Sequence, residues 1–210
     1  MARLILASAS PRRRELLTQA GFTFAVHPAD VDESVRPGED PAAYVTRLAR
    51  EKALKVFEVA RDAEAVVLGA DTTVVLNGEI LGKPADKADA VRMLRALSGR
   101  THRVITGVAL VSARGVAVAA EVTEVRFCEI SDAEIAAYVE TGEPMDKAGA
   151  YGIQGRAGKW IPRIEGCYFN VVGLPLARVS AMLSEGCHPS KQRSLAGDPG
   201  PPAEKRLRSR

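Results

Sequence analysis

A continuous apolar run over residues 65–70, AVVLGA, constrains the fold more than any other stretch of the chain. A run of this kind fits a strand that is buried inside a sheet. Capped helix starts precede it at Ser10-Pro11 and Asp40-Pro41, and a helical pattern over residues 86–98 follows it. Because strand and helix patterns alternate in this way, the chain is predicted to have an α/β fold.

The other patterns predict that the sheet is mixed. Hairpins are expected where apolar strands flank Asn77-Gly78 and Arg114-Gly115. Further strands are predicted at residues 3–7, 22–26 and 159–164, and further helices at residues 131–140 and 170–185. Residues 142–158 are rich in glycine and are expected to be irregular.

Composition separates one domain from a tail. The chain has 210 residues, of which 46% are hydrophobic, and this is enough for one medium domain with a core. Residues 188–210 hold Pro, Gly, Ser and charged residues with almost nothing to bury, and they are predicted to be a disordered tail. The folded domain is therefore expected to comprise residues 1–187.

Charge follows the same division. The whole chain carries a formal net charge of +3, which on its own suggests a nucleic-acid partner. The tail contains six cations and two anions, a formal charge of +4, which leaves −1 for residues 1–187. The basic balance thus belongs to the tail, for which a solvated extension is preferred over a nucleic-acid-binding arm.

Cysteine spacing and the N-terminal pattern limit the cellular setting. Cys128, Cys167 and Cys187 are odd in number and widely spaced, which argues against a zinc ribbon and against a disulfide framework. The start of the chain lacks the long apolar region of a secretory signal, and no run approaches the roughly 18 apolar residues of a membrane span. A cytoplasmic protein without membrane association is expected.

The segment S-A-S-P-R-R-R, residues 8–14, joins the first predicted strand to the first helix. A helix N-terminus offers unpaired backbone N–H groups and a partial positive charge. Ser8 and Ser10 add hydroxyl donors, and Arg12 and Arg13 add planar guanidinium groups that suit phosphate. The segment is interpreted as a phosphate cradle, and the alternative is a serine-capped helix with solvated arginines.

Lys52 and Asp71 are charged residues in apolar surroundings. Lys52 lies four residues after Leu48 and four before Val56, on the apolar stripe of the second helix, so it either extends to solvent or enters a site. Asp71 follows the buried run at a predicted strand end, where α/β proteins gather ligands; its alternative role is to begin a turn. Glu33, in a polar loop, is a candidate second carboxylate.

Two later segments add polar groups that could face a ligand. Lys83 follows the first hairpin, either as a phosphate-facing cation or as an exposed loop lysine. Residues 141–155 contain four glycines, which let backbone approach a ligand, together with Asp146, Lys147 and Gln154; the alternative is a mobile connector. Cations, a strand-end carboxylate and an amide-bearing loop are jointly what hydrolysis of a nucleoside triphosphate requires.

The chain contains six blocks of sequence in this order: SASPRR at residues 8–13, YVTRLAREKA at 44–53, GADTTVVLNGEILGKP at 69–84, LSGRTHRVITGVAL at 97–110, GEPMDKAGAYGIQG at 142–155 and NVVGLPL at 170–176. Together these blocks resemble the Maf family of nucleotide pyrophosphatases. The resemblance leaves the tail outside it. It implies a Maf-like elongated mixed β-sheet flanked by helices with a central cleft, related in architecture to inosine triphosphatases.

The resemblance also implies the reaction and its residues. The reaction would be hydrolysis between the α and β phosphates of a nucleoside triphosphate, giving the monophosphate and pyrophosphate, with Mg²⁺ or Mn²⁺ as the divalent cation. Asp71 would be the general base, and Glu33 would help it bind the metal. The triphosphate would be held by Ser8, Ser10, Arg12, Arg13, Lys52 and Lys83.

Within the family, the chain is similar to the branch that acts on dTTP and UTP. Thr72 follows Asp71, Gln154 lies in AGAYGIQG, and together with Arg12 they coincide with the specificity positions of that branch. Modified pyrimidine nucleotides such as 5-methyl-UTP or pseudo-UTP would share the mechanism. The rival interpretation is a nucleic-acid-binding or cell-division (septum) regulatory protein, and a homodimer is left open.

Overall fold

A computed structural model describes residues 3–186 as a seven-stranded mixed sheet with helices on both faces. The strands are β1 Arg3–Leu6, β2 Phe24–Val26, β3 Ala65–Leu76, β4 Glu79–Leu81, β5 Thr101–Ser112, β6 Gly115–Arg126 and β7 Arg163–Glu165. The helices are α1 Pro11–Gln19, α2 Pro41–Ala60, α3 Lys87–Leu97, α4 Asp132–Glu140, α5 Tyr168–Val172 and α6 Leu176–Gly186. The α/β prediction is confirmed, while the predicted tail lies outside the described residues.

Local chemistry sets the helix starts where the sequence predicts them. Ser10 caps α1, and its side chain accepts from the backbone N–H of Arg13. Asp40 caps α2 by accepting from the N–H groups of Ala42 and Ala43. Ser131 and Glu134 form the two reciprocal hydrogen bonds of a capping box at the start of α4.

One edge of β3 pairs with two different strands, β1 and β4, and the stretch between them is left open. Strand order is β2-β1-β3-β5-β6-β7, with β1 parallel to β2 and β3, and with β4 antiparallel to the far end of β3. Pairing with β1 ends at Leu68, and pairing with β4 begins at Val74. Residues 69–73, here called the open stretch of β3, therefore have β5 as their one neighbouring strand among residues 3–186.

The open stretch corrects one expectation of the sequence. Asp71 was expected at the end of a strand over residues 65–70, but it lies in the middle of the twelve-residue β3. The polar triplet Asp71-Thr72-Thr73 interrupts the apolar pattern without ending the strand, because β5 continues to pair with all three residues. The pattern change marks a missing neighbour rather than a turn.

The helix α2 packs directly on the sheet beside the open stretch. A Cβ atom at Gly69 would lie 2.0 Å from the carbonyl oxygen of Ala49, and one at Gly107 would lie 2.4 Å from that of Val45. Glycine at these two positions lets the helix backbone approach the sheet more closely than any side chain would permit. As a result, Lys52 reaches the middle of β3.

Two further expectations at the C-terminal side are wrong. The single helix predicted over residues 170–185 is two helices, α5 and α6, because Gly173 has a left-handed φ of 125° and Pro175 follows. The strand predicted over residues 159–164 begins later, since Arg156–Trp160 forms a 3-10 turn. Within residues 3–186, none of the helices combines the length and apolar character that crossing a membrane requires.

Candidate active site

A cleft of about 370 Å³ lies along the open stretch of β3. Its walls come from the end of β1, the start of α1, one side of α2, the segment after β4 and residues 141–155, here called the glycine-rich loop. The structure brings every residue that the sequence proposed for the site to this one cleft. These residues are Ser8, Ser10, Arg12, Arg13, Glu33, Lys52, Asp71, Thr72, Lys83, Asp146, Lys147 and Gln154.

Lys52 lies between two carboxylates in the cleft. Its ammonium nitrogen is 2.7 Å from Oδ1 of Asp71 and 2.6 Å from Oε1 of Glu33. The side chains of Lys52 and Asp71 are 8% and 12% exposed, whereas that of Glu33 is 47% exposed, so the pair with Asp71 is the buried one. The Lys52 side chain therefore enters the cleft and does not extend to solvent.

Tyr44 holds the loop that carries Glu33. Its hydroxyl donates to the carbonyl oxygen of Glu33 at 2.8 Å. Burial, together with the charges of Asp71 and Glu33, raises the pKa of Tyr44 to about 12, so the hydroxyl keeps its proton. Burial also raises the pKa of the Glu33 carboxyl, but Lys52 and Lys83 more than offset this, and the pKa lies below its ordinary value. Glu33 is therefore an ionised partner of Lys52 at neutral pH.

Arg13 is buried and occupies the place that a neighbouring strand would take. Its Nη1 donates to the carbonyl oxygen of Ala70 at 2.9 Å and to Oγ of Ser8 at 3.1 Å. Its Nε donates to the carbonyl oxygen of Gly173 at 2.9 Å, and its Nη2 donates to Oγ1 of Thr72 at 3.0 Å. Four of the five guanidinium N–H groups are thus used inside the protein, which leaves one to face a ligand.

A chain of hydrogen bonds continues from Arg13 into the sheet. Oγ1 of Thr72 lies 2.9 Å from Oγ1 of Thr106, which donates to the carbonyl oxygen of Asn170 at 3.1 Å. A hydroxyl has one proton, so Thr106 must accept from Thr72. Asn170 in turn donates to the carbonyl oxygen of Val104 at 3.0 Å. Thr72 therefore lines the cleft with its hydroxyl already engaged on both sides.

Arg12 differs from Arg13 because it pairs with the glycine-rich loop. Its Nη1 lies 3.1 Å from Oδ2 of Asp146, while the ammonium nitrogen of Lys147 lies 2.6 Å from Oδ1 of the same carboxylate. Burial acts to raise the pKa of the Asp146 carboxyl, but the hydrogen bond from Lys147 and the charge of Arg12 have the larger, opposite effect. The pKa therefore lies below its ordinary value, and the group is ionised. Asp146 thereby joins the start of α1 to the loop.

Lys83 and Gln154 lie at the exposed rim of the cleft. Neither side chain forms a hydrogen bond or an ion pair with another residue in the described part of the chain. Their backbones are connected nearby, since the N–H of Gly149 donates to the carbonyl oxygen of Gly82 at 3.0 Å. Both side chains are therefore available to a ligand.

Sequence reasoning missed several polar residues at or behind the cleft. Tyr44, Thr106 and Asn170 lie within the quoted sequence blocks, but nothing in their local pattern distinguishes them from core or loop residues. Thr73 lines the cleft two residues after Asp71, and its buried hydroxyl has no partner among residues 3–186. Their roles depend on contacts between elements that are far apart in the chain.

The carboxylates offer donors of the type that Mg²⁺ and Mn²⁺ prefer. Magnesium is commonly bound by one or two carboxylates together with substrate phosphates. Lys52 contacts Oδ1 of Asp71 and Oε1 of Glu33, which leaves the second oxygen of each carboxylate without a hydrogen bond among residues 3–186. Within that range no group of three His, Cys, Asp or Glu side chains could hold a metal alone. The two residues therefore fit a metal that is shared with substrate phosphate.

Comparison with known proteins gives a consistent family. The family described as Maf-like protein matches residues 3–186. The dTTP/UTP pyrophosphatase of Hahella chejuensis is 56% identical over 184 residues, which are 87% of this chain and 92% of that protein. The protein of the same name from Koribacter versatilis is 58% identical over 180 residues, which are 86% of this chain and 92% of that protein.

Solved structures are similar to a weaker degree. The Staphylococcus aureus Ham1 protein aligns over 60% of this chain and 71% of its own length, with a TM-score of 0.43 and 15% identity. Similarity at this level does not establish a shared fold or function. The family assignment instead depends on the match over residues 3–186 and on relatives that are more than half identical over most of their length. On these grounds the chain belongs to the Maf family.

Proposed function

We propose that this protein is a dTTP/UTP pyrophosphatase, which hydrolyses the nucleoside triphosphate to the monophosphate and pyrophosphate. The observation that carries the proposal is the buried Lys52–Asp71 pair at the centre of a cleft lined by cations. Relatives at 56% and 58% identity are named dTTP/UTP pyrophosphatase, and they support the choice of substrate.

Charge in the cleft suits a polyphosphate that brings its own counterion. Five cationic side chains line the cleft, against three anionic ones, which leaves a formal excess of two positive charges. The cations are Arg12, Arg13, Lys52, Lys83 and Lys147, and the anions are Glu33, Asp71 and Asp146. A triphosphate carries more negative charge than this excess, so a bound Mg²⁺ or Mn²⁺ would supply the remaining neutralisation and polarise a water.

Asp71 is suited to direct the attacking water. Lys52 holds Oδ1, so the free Oδ2 can accept a proton from a water as its oxygen attacks the α-phosphorus. The bond between the α-phosphorus and the bridging oxygen breaks, and pyrophosphate leaves with the electron pair. The free oxygen of Glu33 would hold the metal beside this water, and Asp71 would act on the metal only through the water, because its one free oxygen accepts the proton. Stabilisation of charge by fixed groups dominates such reactions, and no covalent intermediate is needed.

The polar groups that line the cleft are of two kinds. Ser8, Ser10 and the arginines at the start of α1 are suited to phosphate. Gln154 lies on the glycine-rich loop, and its amide can both donate and accept, as pairing with the imide edge of uracil or thymine requires. We therefore assign the base to the loop that carries Gln154.

The proposal also includes where the protein acts and what it binds. A free nucleotide in the cytoplasm is the expected substrate, because the cations line one cleft rather than an extended surface. A nucleic-acid-binding or septum-regulating role has no comparable feature in residues 3–186. Sedimentation velocity at micromolar concentration would decide whether the protein is a homodimer.

The proposal is tested by incubating the protein with a panel of nucleoside triphosphates and scoring pyrophosphate separately from orthophosphate. The panel comprises dTTP, UTP, dCTP, dATP, dGTP, 5-methyl-UTP and pseudo-UTP, each with Mg²⁺, Mn²⁺ or excess EDTA. We expect pyrophosphate and monophosphate from dTTP and UTP, and no turnover in EDTA. Release of orthophosphate and diphosphate would contradict the reaction, and full activity in EDTA would contradict the metal.

A further inference from the structure

His102 is buried behind the glycine-rich loop and contacts one of its side chains directly. It lies on β5, is 2% exposed, and has Nε2 2.7 Å from the hydroxyl oxygen of Tyr151. The rings of His102, Phe127 and Tyr151 pack edge to face, with centroids 4.8 to 5.4 Å apart. A polar bond thus crosses an otherwise apolar contact between the sheet and the loop.

Nε2 is the one ring nitrogen of His102 that is hydrogen-bonded among residues 3–186, since Nδ1 is buried and has no partner there. Either group can donate in the bond between Nε2 and the Tyr151 hydroxyl, because a neutral imidazole carries its proton on one nitrogen or the other. Burial lowers the pKa of His102 to about 4, so the ring is neutral near pH 7 and keeps this bond in either arrangement.

The contact between His102 and Tyr151 lies next to a backbone segment of unfavourable conformation. Gly149 and Ala150, immediately before Tyr151, both have left-handed backbone, with φ of 67° and 59°. Left-handed backbone is unfavourable for alanine, so the surrounding contacts must hold it in place. Beyond Tyr151, the backbone of Gly152 hydrogen-bonds to the Tyr138 hydroxyl, and Ile153 packs against the core. The N–H of Arg156 then donates to the Glu143 carboxylate. Tyr151 is thus the first of the contacts that hold the segment around Gln154, whose own side chain has no hydrogen bond among residues 3–186.

We propose that His102 is a positioning residue for nucleotide recognition, which acts through Tyr151 to fix the segment of residues 151–155 against the base. It does not touch the reacting atoms, and the phosphate-binding groups of the cleft do not depend on it. The inference rests on the proposed function, because it concerns recognition of the base in the same site. It assigns specificity for the nucleotide to a buried residue on the sheet as well as to the loop.

The test compares steady-state kinetics with dTTP for wild type, His102→Leu, His102→Gln and Tyr151→Phe. His102→Leu and Tyr151→Phe each break the bond, and we expect KM to rise about tenfold with little change in kcat. Inhibition by pyrophosphate, which needs only the phosphate-binding groups, should be unchanged. His102→Gln retains an amide that can donate to or accept from the Tyr151 hydroxyl, so it should restore most of the affinity.

Val108→Ala is the matched control for lost stability, since Val108 is a fully buried residue of β5 that does not line the cleft. It should lower the melting temperature and leave KM unchanged. An unchanged KM in Tyr151→Phe, or an equal rise in KM in Val108→Ala, would overturn the inference even if His102→Leu failed to fold. Absence of pyrophosphate release by the wild type would instead overturn the proposed function, and the inference with it.

Discussion

The ammonium nitrogen of Lys52 lies 2.7 Å from Oδ1 of Asp71, and both side chains have little access to solvent. Glu33 contacts the same nitrogen at 2.6 Å, so one cation serves two carboxylates. This geometry depends on Gly69 and Gly107, which let α2 approach the sheet. Lys52 thereby orients Asp71 and leaves one of its oxygens for a water.

Removing the cation from this cluster should reduce both stability and catalysis. Lys52→Met keeps the apolar stem but leaves Asp71 and Glu33 without the charge between them. We expect a loss of about 2 kcal/mol in the free energy of unfolding, less than for a fully buried pair because Glu33 is half exposed. Chemical denaturation measures the stability, and kcat for pyrophosphate release should fall with it.

The double variant Lys52→Met, Asp71→Asn provides the control. Removal of the Asp71 charge should recover part of the lost stability, because the remaining carboxylate no longer faces another charge. Strictly additive losses in the double variant would show that the pair is not coupled, and would contradict this account of the cluster.

The two neighbouring arginines should respond differently to the same substitution. Arg13→Lys keeps the charge but cannot reproduce hydrogen bonds to four groups, so we expect a loss of about 2–3 kcal/mol in unfolding free energy and a strong loss of activity. Arg12→Lys replaces one arm of a partly exposed ion pair, so its stability should change by less than about 1 kcal/mol. Thermal unfolding of both variants, side by side, measures this contrast. Equal destabilisation would contradict the distinction between them.

His102 should make stability depend on pH in the acidic range. Its pKa is about 4 in the folded protein, because of burial, and 6.5 is the ordinary value expected on unfolding. The unfolded chain therefore binds the proton first as the pH falls from about 6.5 to 4. Stability is fully present above pH 6.5 and decreases through that window, by up to about 3 kcal/mol.

The measurement is the unfolding free energy of wild type and His102→Gln at pH values from 7 to 4.5. Carboxylates titrate in both proteins, so the difference between the two curves isolates the histidine. The wild type should lose more stability than His102→Gln on acidification. Parallel curves would mean that the pKa of His102 is the same in the folded and the unfolded protein, and would contradict the effect of burial.

Much of the fold could be predicted because its signals are local. Ser10 and Asp40 start helices by accepting hydrogen bonds from backbone groups two or three residues away, and such caps are visible in the sequence. The candidate site residues could be selected because charged groups interrupt apolar patterns, as Lys52 does on α2. These local signals do not indicate which helices and strands lie next to one another in the fold.

The remaining features depend on contacts between distant segments. Three consecutive arginines look alike in the sequence, but Arg13 alone points towards Ala70 and Gly173, and its burial follows from the open stretch of β3. The polar residues after residue 70 have the pattern of a strand end, because a strand that loses one neighbour and keeps the other has the same pattern. The anchor between His102 and Tyr151 joins residues 49 positions apart, and no local period reveals it.

The proposed role of Asp71 is tested most directly by the rate of pyrophosphate release from dTTP by wild type and by Asp71→Asn. The substitution keeps the size of the side chain but removes the carboxylate that, in the proposed mechanism, accepts the proton from water. We predict that wild type releases pyrophosphate and that the kcat of a folded Asp71→Asn protein is reduced by about 10²-fold or more, in line with the loss of a general base. Near-normal turnover by a normally folded Asp71→Asn protein would show that Asp71 is not the general base.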